Sequence, residues 1–426
     1  MIVHEELASV SQRMIWLSGR IGGSHGQWNY PLLLRLRGRL EPDRLGSALD
    51  RLVARHEALR TTFARRDGLL TQLVHDPQPV PVLEEVVASE TELWPRVRAE
   101  TAKPIDPSGW PIRVTRWRVT GNEHVLCINA HHLVTDAWSS RVLTSELVQL
   151  LARSSCLPRV QWQYRHFVAW QRRPSTAERI RADAEHWRQR LAGARPPGVL
   201  QPPPTPLAAP LVAAPLVAAP PVAGLGDNGG HTIRLTIDPP TAGRLQELAR
   251  RERTTPFTVL LAIYYLALHG ESGELDLSVV APFANRLRPE TAETVGLFAN
   301  LLVLRTRLVA RSTLEDAVRQ TRLTVDDANG HQAMPYQHLP SANGDRFDHA
   351  VFQLLPELPA PVRLDSLEVE VLPPELASRF DLELAIIPSR KGYTVLLQYT
   401  ADRVSRRTAQ GLASRFQNIA TRMSVD

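Results

Sequence analysis

The sequence predicts an α+β protein in two halves, and three observations carry that reading. Strand-type and helix-type patterns are mixed on both sides of the chain's midpoint. A proline- and alanine-rich stretch, PPPTPLAAPLVAAPLVAAPPVAG, separates them from Pro202 to Gly224. At 426 residues, 43% of them hydrophobic, the chain has the length for two ordinary domains and apolar material for a core in each.

Taken in order, residues 9–17 read as a helix and residues 30–36 as a strand. Over 42–55 the apolar positions Leu45, Ala48, Leu49, Leu52 and Val53 recur at the spacing of an amphipathic helix. Residues 112–119 alternate as a half-buried strand, whereas 124–130 are almost continuously apolar, as in a strand covered on both faces. Helices follow over 138–152, 164–173 and 177–191. Frequent proline in 202–224 then forbids a helix and removes ladder donors from any strand, which predicts an exposed, semi-stiff spacer. The expected division is a first lobe at 1–195, a linker or insertion at 196–229, and a second lobe at 230–426.

In the second lobe Ile233, Leu235 and Ile237 alternate along a strand over 231–237. Residues 241–251 form a helix and 255–269 a more apolar one, with Thr254 or Thr255 as its cap. Strands are expected at 277–281 and 301–308, a helix at 313–329, and strands at 367–371, 382–387 and 393–399. A helix over 405–423 closes the chain.

Composition excludes several classes. The 50 basic residues are spread among 44 acidic ones without a long like-charge run, which argues against a nucleic-acid partner. The most apolar helical stretch, 257–268, is too short against the ~20 residues that span a bilayer, and no secretory signal opens the chain. Two cysteines, Cys127 and Cys156, make no disulfide framework, so a reduced, cytoplasmic protein is expected.

The chemistry concentrates where the buried strand over 124–130 runs into His131 and His132, four residues before Asp136 and just before a helix. Strand ends that feed a loop and a helix are common places to display reacting groups. An imidazole with a pKa of about 6.5 can take a proton near neutral pH. Asp136 can fix a histidine tautomer or pair with an arginine to brace the loop. The residues alone leave other readings open: metal ligands, or histidines satisfied inside a core. A Ser/His/Asp hydrolase lacks its Gly-x-Ser-x-Gly elbow here.

Other segments set this motif in context. SQRMIWL at 11–17, RHEALRTTF at 55–63, HHLVTDAWS at 131–139 and YRHFVAW at 164–170 resemble successive motifs of the condensation domains of nonribosomal peptide synthetases. So do Asn285-Arg286 with VGLFAN at 295–300, HQAMPY at 331–336, a loose likeness from Arg346 to Gln353, and RFDL at 379–382. The likeness spans nearly the whole chain in the family's order, and the second of these motifs is a near-complete, very specific copy. Ala137 departs from the pattern, standing where the family normally has glycine.

The resemblance implies two chloramphenicol-acetyltransferase-like lobes in a V-shaped pseudo-dimer with a tunnel between them. It implies carrier-borne phosphopantetheine arms entering from opposite faces, no cofactor bound by the protein itself, and a monomer. His132 would then be the catalytic residue, taking or directing the proton of an attacking amine or hydroxyl. His131 would be its packing and hydrogen-bonding neighbour. Asp136 would pair with Arg286, Ser139 would cap the following helix, and Asn300 would lie near the tunnel floor. His56, Glu57, Trp162, Trp170 and Trp187 read as structural.

With no adenylation, carrier or thioesterase sequence in the 426 residues, the expectation is a free-standing acyltransferase served by carrier proteins in trans. Its alternatives are a non-catalytic module that recruits a tailoring enzyme and a coenzyme A-dependent acyltransferase of the same superfamily. The retained His132 separates the first alternative; the choice of thioester donor separates the second.

Overall fold

The computed structural model describes residues 1–21, 28–152, 157–200, 230–339, 347–373 and 380–422. Cys156, Arg346, Arg379 and the proline-rich stretch beyond residue 200 lie outside them. The chain opens with β1 (Ile2–Leu7), α1 (Val10–Ile21), β2 (Asn29–Gly38), α2 (Pro42–Arg55), β3 (Thr61–Arg66), β4 (Leu69–His75) and β5 (Val82–Val86). It continues through α3 (Glu90–Ala102), β6 (Ile112–Thr120), β7 (Glu123–His131), α4 (Ala137–Leu151), α5 (Tyr164–Gln171) and α6 (Pro174–Leu191). From residue 230 come β8 (Gly230–Ile237), α7 (Pro239–Arg251), α8 (Pro256–Ser272), β9 (Asp276–Phe283), β10 (Asn300–Arg307) and α9 (Leu314–Gly330). The last elements are β11 (Ala350–Leu354), β12 (Val362–Leu364), β13 (Leu367–Leu372), β14 (Leu382–Ser389), β15 (Gly392–Thr400) and α10 (Arg406–Arg422).

These elements form two six-stranded sheets, ordered β12-β13-β2-β7-β6-β5 and β10-β9-β11-β14-β15-β8, with a small sheet β1-β4-β3 beside the first. Strand β7 lies between β2 and β6 and is buried from His124 to His131, which is why its sequence runs apolar instead of alternating. Helix α2 seats Leu45, Leu49, Leu52 and Val53 in the first core, together with Leu143 and Leu147 of α4. In the second lobe α8 is buried along most of its length, capped by Thr255 accepting from the Thr258 amide. No helix among the described residues is long and apolar enough to cross a membrane.

The two halves of the sequence exchange segments. Strand β13 leaves the second half and pairs antiparallel with β2, from Leu367 opposite Gly38 to Leu372 opposite Leu33. Gly38 has φ +119, and a Cβ there would stand 1.8 Å from the Ser366 carbonyl oxygen, so this crossing depends on glycine. In return α6 sends Trp187 and Leu191 into the second core, and the Trp187 indole donates to the His331 carbonyl at 3.1 Å.

Candidate active site

The motif is a strand end, a turn and a helix start. His131 is the last residue of β7, a single 3-10 turn spans His132–Val134, and α4 begins at Ala137. Leu133 and Val134 are buried in the first core and anchor the turn, leaving His132 half-buried. The two histidines are held in opposite tautomers. His132 Nδ1 lies 2.7 Å from the Thr135 carbonyl oxygen, which can only accept, so Nδ1 carries the proton and Nε2 is the basic nitrogen of the neutral ring. His131 Nδ1 instead accepts from the Leu133 amide at 3.0 Å, and its ring is buried. His131 therefore shapes the turn, and His132 has the tautomer of a proton acceptor.

Asp136 does not touch the His132 ring; its carboxylate gathers the loop, the helix and the second lobe. Oδ1 accepts from the Ser139 amide and hydroxyl, both at 2.7 Å, and from Arg286 Nη2 at 3.3 Å. Oδ2 accepts from the amides of Phe298 at 3.0 Å and Ala299 at 3.2 Å. The helix cap is thus Asp136, with extended backbone at φ −146 and ψ −178, and not Ser139, which lies inside the first turn. Ser139 links the lobes instead: with its one proton given to Asp136, its hydroxyl oxygen accepts from the Gly296 amide at 3.0 Å.

Arg286 completes the junction. Its Nη1 donates to the carbonyls of Thr291 and Thr294, and its guanidinium lies 3.9 Å from the centre of the Phe298 ring. Burial pulls its pKa down, and the charge and hydrogen bond of Asp136 oppose that pull. Two further residues, silent in the sequence reading as site parts, tie the remaining motifs to this point. Gln12 of α1 donates to the Leu133 carbonyl at 3.0 Å, and the Tyr164 hydroxyl of α5 donates to the Leu297 carbonyl at 2.6 Å. Their signal was their place inside SQRMIWL and YRHFVAW, where a polar group recurs in an apolar setting.

The condensation-domain family model matches residues 4–424. The chain belongs to the condensation-domain family. It is 30% identical to the nonribosomal peptide synthetase kk1B of Curvularia clavata, over 97% of this chain and 3% of that protein. It is 30% identical to the cyclosporin synthetase simA of Tolypocladium inflatum, over 96% of this chain and 3% of that protein. The chain thus spans a small fraction of the curated relatives it matches. Among solved structures, the condensation domain of the monacolin K polyketide synthase MokA aligns with TM-score 0.81 at 20% identity, covering 99% of this chain and 98% of that one. The X-domain in complex with OxyB from teicoplanin biosynthesis aligns with TM-score 0.77 at 24% identity, covering 99% and 94%. The two-lobed, chloramphenicol-acetyltransferase-like fold implied by the resemblance is the fold found.

Within this condensation domain, Ala137 takes the first position of α4 and is absent from the non-glycine residues of positive φ. The backbone there makes no demand for glycine. Asn300 is buried, with its amide donating to the carbonyls of Gln332 at 3.0 Å and Met334 at 2.7 Å and its oxygen accepting from the Tyr336 amide at 3.0 Å. It staples β10 to the segment after α9, and its side chain is fully engaged in doing so. His56 and Glu57 join helices: His56 Nε2 meets Glu146 at 2.7 Å, and Glu57 accepts from Arg165 at 2.8 Å. Trp170 stacks on Phe167, and Trp162 lies under Arg288.

Among the described residues one group has metal-ligand atoms within 4.8 Å of one another: His186, Asp327 and His331. Its two imidazoles stack at 3.6 Å and 12°, so their lone pairs lie in two nearly parallel, separated planes and do not converge on one ion. Arg190 also stands 3.4 Å from the Asp327 carboxylate and supplies the positive charge there.

Proposed function

We propose that this chain transfers an acyl or aminoacyl group from the phosphopantetheine thioester of a carrier protein to an amine or hydroxyl, forming an amide or ester. The observation that carries this reading is the tautomer of His132, set by the Thr135 carbonyl on a loop locked to the second lobe. In the balanced reaction the acceptor's N–H or O–H adds to the thioester carbonyl as its proton passes to His132 Nε2. The tetrahedral adduct then expels the carrier's thiolate, which takes that proton to leave as thiol. With an α-amine, mostly protonated at neutral pH, a large part of the acceleration comes from holding amine and thioester together. His132, the half-buried residue of the turn, is the catalytic residue in this reading; His131, Asp136, Ser139 and Arg286 position it. The protein binds no cofactor of its own, because the pantetheine arrives on the carrier. The relatives named above as synthetases, and the family match, support a carrier protein as the partner.

A second reading, a module that recruits a tailoring enzyme, draws on Ala137 in the glycine position and on the fold shared with the teicoplanin X-domain that was solved with OxyB. One experiment separates the readings. Loaded carrier proteins are offered with amine and hydroxyl acceptors, in parallel with the same acyl groups on coenzyme A, and products are followed by mass spectrometry. Product from the carrier supports the proposal, and product from coenzyme A alone replaces it with a small-molecule acyltransferase. No product from either donor, with tight capture of a tailoring enzyme, replaces it with recruitment.

A further inference from the structure

Between the two sheets lies a cavity of about 350 Å³ that none of the motif residues except Ala137 lines. Its walls come from β2, α4, β13, β14 and the segment of residues 355–360 that carries the chain from β11 toward β12. Leu32, Val148, Leu358, Val371 and Ile387 make those walls predominantly apolar. The charged groups in the lining are Arg141 and Glu357, both exposed, so charge is confined to the rim. Arg141 is further held there by the Trp138 ring, 4.1 Å from its guanidinium carbon.

Two residues join this cavity to the reacting centre. Ala137 is one residue beyond Asp136 and contributes to the wall. Tyr30 lines the cavity and packs its ring against the His132 imidazole, 5.4 Å between centroids. A group seated in the cavity and attached to atoms beside His132 would therefore pass Tyr30 and Ala137. The depth holds no charged partner, so an ammonium or carboxylate gains nothing there, while apolar surface is removed from water. The volume sets the size: a 150 Å³ apolar cavity holds one benzene, so this one accommodates a group of about ten carbons.

We infer that this cavity seats the neutral apolar part, an alkyl or aryl group, of the thioester-bound substrate, and that Ala137 and Tyr30 set its entrance. The inference deepens the acyl-transfer reading and rests on it for the position of the reacting atoms. The departure from the motif glycine then has a meaning: the methyl of Ala137 narrows the way in without straining the backbone.

Binding tests the cavity without turnover. S-acetyl-, S-butyryl-, S-hexanoyl- and S-octanoyl-pantetheine are titrated into the full chain by calorimetry. Affinity should rise about fourfold per added methylene, the ratio that corresponds to ~0.8 kcal/mol for each buried methylene. Val148→Trp, on the α4 wall, and Ala360→Trp, on the opposite exposed segment, should each abolish the gain from the longer chains. Two walls are used so that a folding defect in one variant leaves the other to report, with melting curves as the control. A chain-length effect that survives both tryptophans overturns the inference, and so does an affinity independent of chain length together with no side-chain preference among acceptors.

Kinetics with carrier-loaded substrates then assigns the source of the group. Selectivity for longer donors that both variants erase places the donor's acyl group in the cavity. The same pattern across acceptors bearing alanine, leucine or phenylalanine side chains places the acceptor's there. Turnover with no chain-length preference in either series refutes the cavity assignment and leaves the acyl-transfer reading standing. Length-dependent binding without turnover does the reverse.

Discussion

Asp136 and Arg286 stand 150 residues apart in the sequence and 3.3 Å apart in the structure, and both are almost wholly buried. Because the Asp136 carboxylate also accepts four donors from Ser139, Phe298 and Ala299, the pair is one edge of a closed polar network. Removing one partner of a buried pair leaves an uncompensated charge and commonly costs about 3–5 kcal/mol. Arg286→Ala should lower unfolding stability by that order in urea titrations, and Arg286→Lys should recover only part, since lysine cannot reach the carboxylate and two carbonyls with one planar group. A loss below about 1 kcal/mol would mean that the network is replaced by water.

His132→Ala should lower kcat by about 10²- to 10⁴-fold with little change in the binding of either substrate, the usual size of a general acid–base contribution. His131→Asn should act differently. Its amide oxygen can still accept from the Leu133 amide, so the turn should survive, and stability more than kcat should register the change. Steady-state kinetics of both variants beside their melting curves tests the split. Undiminished turnover in His132→Ala would remove His132 from the chemistry.

Gly296 is needed for space. A Cβ there would stand 2.3 Å from Cδ2 of Tyr164, a ring that is fully enclosed and edge-on to Phe298 at 5.0 Å. The Tyr164 hydroxyl is fixed by the Leu297 carbonyl and by Ser9 at 3.0 Å, so the ring has no way to yield. Gly296→Ala should cost at least the ~1–3 kcal/mol of an overpacked core and should weaken activity through the Ser139 contact with the same glycine. The double variant Gly296→Ala with Tyr164→Leu, assayed by denaturation, should recover part of the loss. No rescue would point to the backbone of residue 296 instead of its neighbour.

The parts of this molecule that a linear reading captured are those whose pattern is local. The amphipathic period of α2 gave its bounds at Pro42 and Arg55, and the unbroken apolar run of β7 placed a buried strand ahead of His131. Helix α3 escaped because Pro95 lies inside it and its apolar stripe is weak; its capping serine, Ser89, was the readable sign. The strand at 367–372 was legible as a strand, but its partner was not, because pairing with β2 depends on a contact more than 300 residues distant. At the site, residue types alone left His132 and Asp136 open to several readings, and it was their place among the ordered motifs that singled them out. The Thr135 carbonyl that fixes the tautomer, and the role of Asp136 in place of Ser139 as helix cap, follow from φ and ψ of single residues, which composition does not encode.

Glu146 of α4 is buried against α2, bonded by His56 Nε2 at 2.7 Å and by Arg55 Nε at 2.9 Å. Burial alone would raise its pKa, yet the bonds and charges of His56 and Arg55 prevail and hold the carboxyl below the ordinary carboxylate range. A folded-state pKa below the unfolded value means that the ionised group stabilises the fold fully above about pH 4.3. That contribution is lost as pH falls through the lowered folded value. Glu146→Gln removes the titrating group while keeping its shape. The gap in unfolding free energy between the wild type and this variant should therefore be fully present at pH 5 and shrink as pH falls below about 4. Carboxylates remote from this contact titrate in both proteins and cancel in the difference, so urea unfolding of the two at pH 7, 5, 4 and 3 reports on Glu146 together with the His56 and Arg55 bonded to it. A gap that stays constant to pH 3 would show that Glu146 holds α2 to α4 by packing and neutral hydrogen bonds, with no contribution from its charge.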